Sequence, residues 1–64
     1  MSTALYDVEP TEVLAAQHYE DVCAFIEKYH VAFRPVLLVG SMTAKEKKLA
    51  YEKISSGEAN LVIG

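Results

Sequence analysis

The residues best suited to chemistry lie close together in the second half of the chain. Val39-Gly40-Ser41-Met42-Thr43 is followed at once by Lys45, Lys47 and Lys48. An apolar run leads into a Gly-Ser turn, and the turn opens a helix. Backbone N–H groups and hydroxyls at the positive end of a helix dipole suit an anion, and a phosphate group in particular. The same pattern also serves as an ordinary helix cap with a solvated lysine face, and the spacing does not say whose phosphate would bind. The other reactive side chains read as structural. Cys23 falls on the apolar side of a helix with no cation near it in sequence, as a packed thiol does. His18 and His30 have no carboxylate or third ligand at metal spacing, so both read as boundary or surface residues and no metal site is expected. Tyr19 and Tyr29 lie on a core stripe, where packing is the expected role rather than base stacking. The chain has no G-x-x-x-x-G-K-[ST] cradle, no Asp-Glu pair after Leu61, and no G-x-S-x-G, C-x-x-C or H-E-x-x-H. No catalytic residue is therefore expected.

The elements that must position these residues follow from the pattern of apolar side chains. Residues 3–8 form a loose alternating stretch that reads as a short strand, stopped at Glu9-Pro10 because proline donates no hydrogen bond and pushes its predecessor away from helix. Thr11 stands where an N-cap is needed, and a helix is expected from there to about Tyr29. Ala15, Tyr19, Val22, Ile26 and Tyr29 form its inward stripe, widened by Leu14, Cys23 and Phe25. Val36-Leu37-Leu38-Val39, bounded by Pro35 and Gly40, reads as a buried parallel strand. Thr43 and Glu46 have capping-box spacing and open a second helix that runs to about Ser55, with Leu49, Ala50 and Ile54 inward. Gly57 is the expected left-handed stop, and Leu61-Val62-Ile63 is a last short strand. Strands that alternate with helices argue for parallel βαβ units. Two helices cover the faces of such a sheet poorly, so completion by a larger body or by association with a second copy is expected.

Composition limits the function classes. With 64 residues the chain holds one small domain at most. It is 52% apolar and 23% charged, so it is globular rather than disordered. One cysteine excludes a disulfide framework and favours a reducing, cytoplasmic setting, and no apolar run is long enough for a membrane span. The net charge of −3 is unevenly spread: residues 1–30 carry six acidic side chains against Lys28, and residues 31–64 carry five basic against three acidic. An anionic partner would therefore meet the second half of the chain.

Three segments resemble the RecG family of ATP-dependent DNA helicases. Pro10-Thr-Glu-Val-Leu-Ala-Ala-Gln-His-Tyr19 resembles motif Ia of that family. Leu37-Leu-Val-Gly-Ser-Met-Thr-Ala-Lys-Glu-Lys47 is similar to its Leu-Leu-Thr-Gly-Ser segment and the basic helix after it. Ser56-Gly-Glu-Ala-Asn-Leu-Val-Ile-Gly64 looks like the stretch ending in its Val-Gly-Thr-His. The three occur in the family's order and cover roughly residues 10–64. The resemblance implies an α/β fold, namely a partial RecA-like (P-loop NTPase-type) βαβαβ unit with short parallel strands and two helices. It makes residues 1–64 a single partial domain from the first motor domain of a superfamily 2 helicase.

The whole enzyme of that family remodels branched DNA in recombination and repair with ATP and Mg²⁺, but no cofactor is expected in this chain. The resemblance also implies contact with the backbone of branched or single-stranded DNA through Thr11, Gln17, His18, Gly40, Ser41, Lys45, Lys47 and Lys48. The departures from the family pattern are the missing Walker A motif, Asp-Glu box, wedge domain and second motor domain, together with Val39 for the family's threonine and Tyr6-Asp7-Val8-Glu9 for an apolar strand. A truncated or remnant reading frame and an excised piece both fit. The alternative function is a self-associating or protein-binding α/β module with no nucleic-acid role.

Overall fold

The computed structural model describes residues 4–64. The elements are β1 (Leu5–Asp7), α1 (Glu12–Tyr29), β2 (Pro35–Leu37), α2 (Ala44–Ser56) and β3 (Leu61–Ile63). Thr3, expected at the start of the first strand, lies outside the described residues.

The three strands form one parallel sheet in the order β1-β3-β2. Leu5, Tyr6 and Asp7 pair with Leu61, Val62 and Ile63, and these in turn pair with Pro35, Val36 and Leu37. The ladder continues beyond the strands. Leu38 N–H donates to the Ile63 carbonyl (2.9 Å), Gly64 N–H donates to the Asp7 carbonyl (3.0 Å), and Glu9 N–H donates to the Gly64 carbonyl (2.6 Å). The result is an α/β arrangement compatible with a partial RecA-like unit.

Local chemistry sets the helix ends. The Thr11 hydroxyl accepts from Leu14 N–H (3.1 Å) and starts α1. His30 ends it in the left-handed region (φ 53), where its N–H returns to the Ile26 carbonyl. Histidine is one of the few side chains that visits this region readily, so His30 has a structural role. Thr43 and Glu46 close the expected capping box, with each side chain accepting from the other residue's N–H. Gly57 (φ 82) ends α2 as expected.

The core is small. Val36 and Val62 pack with Ala50 of α2 and with Ala59, flanked by Leu38, Met42 and Ile54. Alternation along the strands turns Leu37 and Ile63 to the opposite face. The forward crossover from β1 to β2 and the backward one from β2 to β3 place α1 on that face if both are right-handed. Ala15 of α1 and Ile63 are both fully buried.

Several side chains expected to face inward do not. Leu14, Phe25 and Tyr29 on α1, and Leu49 on α2, are each about half exposed or more. For Phe25 and Tyr29 length is the reason. Eighteen helical residues span about 27 Å at 1.5 Å each, whereas a three-residue strand spans about 10 Å. The second half of α1 therefore outruns the sheet. Phe25 and Tyr29 pack on each other there instead, with ring centroids 4.7 Å apart, and the Lys28 ammonium lies 5.3 Å from the Tyr29 ring centre.

The second strand also begins earlier than expected, at Pro35 rather than Val36. Strand β2 lies at the edge of the sheet, and there a proline costs no ladder hydrogen bond.

Candidate nucleic-acid interface

In a parallel βαβ sheet every helix starts at the C-terminal edge of the strand before it. The N-termini of α1 and α2 thus share one end of the sheet, the end at which open α/β folds take their ligands. A direct contact joins them: Ser41 N–H donates to the Glu12 carboxylate across 2.8 Å. The motif around Thr11 and the Gly-Ser turn, 29 residues apart at the bonded pair, become one surface.

The electrostatics of this surface differ from expectation in one respect. The turn was expected to offer free N–H groups to an anion. Two of them already face carboxylates of the chain itself, Ser41 N–H to Glu12 and Thr43 N–H to Glu46 (2.9 Å). The N–H groups of Ala44 and Lys45 have no partner among the described residues. Both carboxyls are held below the ordinary range. For Glu12 the causes are the Ser41 side chain, then the Ser41 N–H, with Lys47 contributing less. For Glu46 they are the Thr43 backbone and then its hydroxyl. Anionic side chains thus occupy the positive pole of α2 where a phosphate would otherwise lie.

The expected DNA-contacting residues are divided by the structure. Gly40 and Ser41 are exposed on the shared surface, and a Cβ at Gly40 would meet nothing within 4 Å. Lys45 and Lys48 are exposed and three residues apart on one helical face. Lys47 is half-buried, turned roughly 200° from Lys45 about the axis, and its charge acts on Glu12. The Thr11 hydroxyl serves its own helix. Gln17 lies further along α1 and donates to Asp21 (3.3 Å).

His18 stands apart from the lysines. Its Nε2 lies 2.5 Å from Asp7 Oδ2 and 4.0 Å from Glu9 Oε1. The sequence has no carboxylate at metal spacing from His18, yet the fold brings Asp7 and Glu9 to it. The two acids reach His18 from the end of β1 and the connection after it, eleven and nine residues away in sequence, a contact that helical spacing does not reveal.

Arg34 and Asn60 form a clamp that the sequence reading missed. The Arg34 guanidinium donates to the carbonyls of Glu58 (2.7 Å) and Gly57 (3.2 Å), and the Asn60 side chain accepts from Arg34 N–H (2.6 Å). These bonds satisfy the C-terminal end of α2 and lock the loop before β3 to the start of β2. Cys23 is half-buried beside Tyr19. Burial, and then hydrogen bonding to that thiol, raises the Tyr19 phenol above its ordinary pKa.

Fold and surface together define an α/β unit with the helix N-termini gathered at one sheet edge, as in a RecA-like motor domain. Within that class the chain is RecG-like over 86% of its length. It is 44% identical over 55 residues to the ATP-dependent DNA helicase RecG of Streptococcus pneumoniae, where the match covers 8% of that protein. It is 41% identical over 64 residues to that of Mycobacterium tuberculosis, covering 9%. It is 38% identical over 58 residues to the chloroplast and mitochondrial RecG homologue of Arabidopsis thaliana, covering 6%. The chain thus spans less than a tenth of the length of these relatives. No family model matches the chain, and no solved structure does. Among the described residues no helix is long and apolar enough to cross a membrane.

Proposed function

We propose that this chain is a piece of the first motor domain of a RecG-like helicase and that it holds the DNA phosphate backbone weakly. Gly40, Ser41, Lys45 and Lys48 form the contact surface in this reading, with Thr11 and Lys47 beside it, while Gln17 and His18, expected to join it, lie apart on α1. The observation that carries the reading is the Glu12–Ser41 hydrogen bond, which makes one surface of two segments that both resemble RecG motifs. A phosphate would approach the free N–H groups of Ala44 and Lys45 and the two exposed ammonium groups.

The residues present do not fit an ATP cradle, since no Gly-rich phosphate loop is in the sequence. The chain by itself therefore carries no ATPase step. ATP, Mg²⁺, hydrolase activity, and a place in recombination and repair belong to the whole enzyme in this proposal, as does a cytoplasmic location.

A ¹⁵N–¹H spectrum of the 64-residue chain, titrated with a short forked DNA at low salt, tests the reading. Shifts confined to residues 11–18 and 40–48 support it. Dispersed peaks that ignore DNA refute it.

A second reading has its own observation. Strand β1 is an edge strand, and its Leu5 and Tyr6 are exposed, as is Val8 just after it, by 83%. An apolar open edge favours pairing with another chain, and hence a self-associating or protein-binding module. Sedimentation showing a monomer across micromolar concentrations argues against this reading.

A further inference from the structure

We propose that Asp7, Glu9 and His18 form a binding site for a divalent transition metal ion of the zinc class. One ligand atom from each lies within 4.8 Å of the others, and all three residues are half-buried. Two independent elements supply them. Asp7 and Glu9 are alternate residues on extended chain, so their side chains leave it on the same side. The ladder to Gly64 fixes the backbone at both, at 3.0 Å for the Asp7 carbonyl and 2.6 Å for the Glu9 N–H. His18 comes from the second turn of α1, which Thr11 and Ala15 anchor.

The donor chemistry selects the ion. One imidazole and two carboxylates suit zinc and its borderline neighbours. Calcium prefers an all-oxygen shell, and copper(I) prefers sulfur. The distances also fit. Donors about 2.1 Å from a tetrahedral ion stand about 3.4 Å from one another. His18 lies 2.5 Å from Asp7 and 4.0 Å from Glu9, so the two separations straddle that value. An ion would sit between His18 and Asp7, part them by under about 1 Å, and draw Glu9 in by less. Side-chain rotation alone supplies movements of that size. Three protein ligands leave positions open to water, as in other accessible zinc sites.

This site does not rest on the DNA reading. Asp7 and Glu9 fall where the sequence departs from the RecG-like pattern, and the lysines of α2 take no part.

The test is titration of the 64-residue chain with Zn²⁺ by calorimetry, paired with Mn²⁺ broadening of its amide spectrum. One Zn²⁺ per chain is expected, with the earliest broadening at residues 7, 9 and 18. Asp7→Asn and His18→Gln should each weaken Zn²⁺ binding by about tenfold or more. A flat titration at millimolar Zn²⁺ overturns the proposal. So does broadening centred on His30 or Cys23, or unchanged affinity in both variants. The broadening map uses the unaltered chain, so the test survives a variant that fails to fold.

Discussion

Removing Lys45 and Lys48, the exposed lysines near the start of α2, should change how DNA binding responds to salt. Lys45 and Lys48 share one face of the helix and are free in solvent, while Lys47 is half-buried and turned toward Glu12. Near the Gly-Ser turn the structure therefore offers two cations, not three, to a phosphate backbone. Each neutralised phosphate contributes a slope of about −0.9 in log affinity against log salt on duplex DNA and about −0.7 on a single strand. Two contacts give about −1.8, so duplex affinity should fall roughly twelvefold between 50 and 200 mM salt. In Lys45→Gln with Lys48→Gln the slope should approach zero. Both positions are exposed, so the fold should persist with a stability change within about 0.5 kcal/mol. Fluorescence anisotropy with a labelled oligonucleotide, repeated at four salt concentrations, measures the slope. An unchanged slope in the double variant would refute the placement of phosphate on this face. A wild-type slope near −2.7 would mean that Lys47 also reaches the DNA, against its half-buried position.

Four further substitutions have expected outcomes. Glu12→Gln should strengthen DNA binding in the same anisotropy assay, because the carboxylate that competes for Ser41 N–H loses its charge. The same variant should flatten the acid side of the stability curve. The folded-state pKa of Glu12 lies below the ordinary 4.5, so its contribution is present above that pH and is lost as pH falls through the folded value. Urea unfolding at a series of pH values reads this difference. Ile63→Ala removes a fully buried side chain from the central strand and should cost about 2–5 kcal/mol in urea unfolding, enough to abolish a small domain's fold. Gly57→Ala, at φ 82, should cost about 1–2 kcal/mol. Gly40→Ala has open space around the new Cβ and should change stability by under about 0.5 kcal/mol, so a loss of DNA affinity there would report backbone approach to the ligand.

The helices were legible in the sequence because their ends carry chemical signals. Thr11, the Thr43–Glu46 pair and Gly57 each act through their own side chain or backbone freedom, within three residues of where they stand. Strand β3 was legible because Gly57 and Gly64 bracket a short apolar run. The exposed Leu49, Phe25 and Tyr29 were not, since an apolar stripe shows which face could be buried and not how much sheet is there to cover it. Of the candidate site, the Gly-Ser turn and the lysines could be read directly. The Glu12 contact could not, because it joins residues 29 apart and depends on where two helices start in space. Neither could the cluster at His18, which joins α1 to Asp7 and Glu9, eleven and nine residues away. The Arg34–Asn60 clamp left one faint trace, an arginine just before an apolar run and an asparagine just before another.

The strand order carries a consequence for synthesis on the ribosome. Strand β3 lies between β1 and β2, yet it follows both in sequence. Leu5 must wait for Leu61, 56 residues later, to find its ladder partner. At about 5–20 residues per second, β1 stays without its pair for roughly 3–11 s. Until β3 arrives, the nascent chain can hold two helices but no sheet. Tyr6 and Val36 wait together for the same residue, Val62. Closure is then a single late event that inserts the last strand between two waiting ones, and a factor that shields the emerging chain would have to act before that insertion.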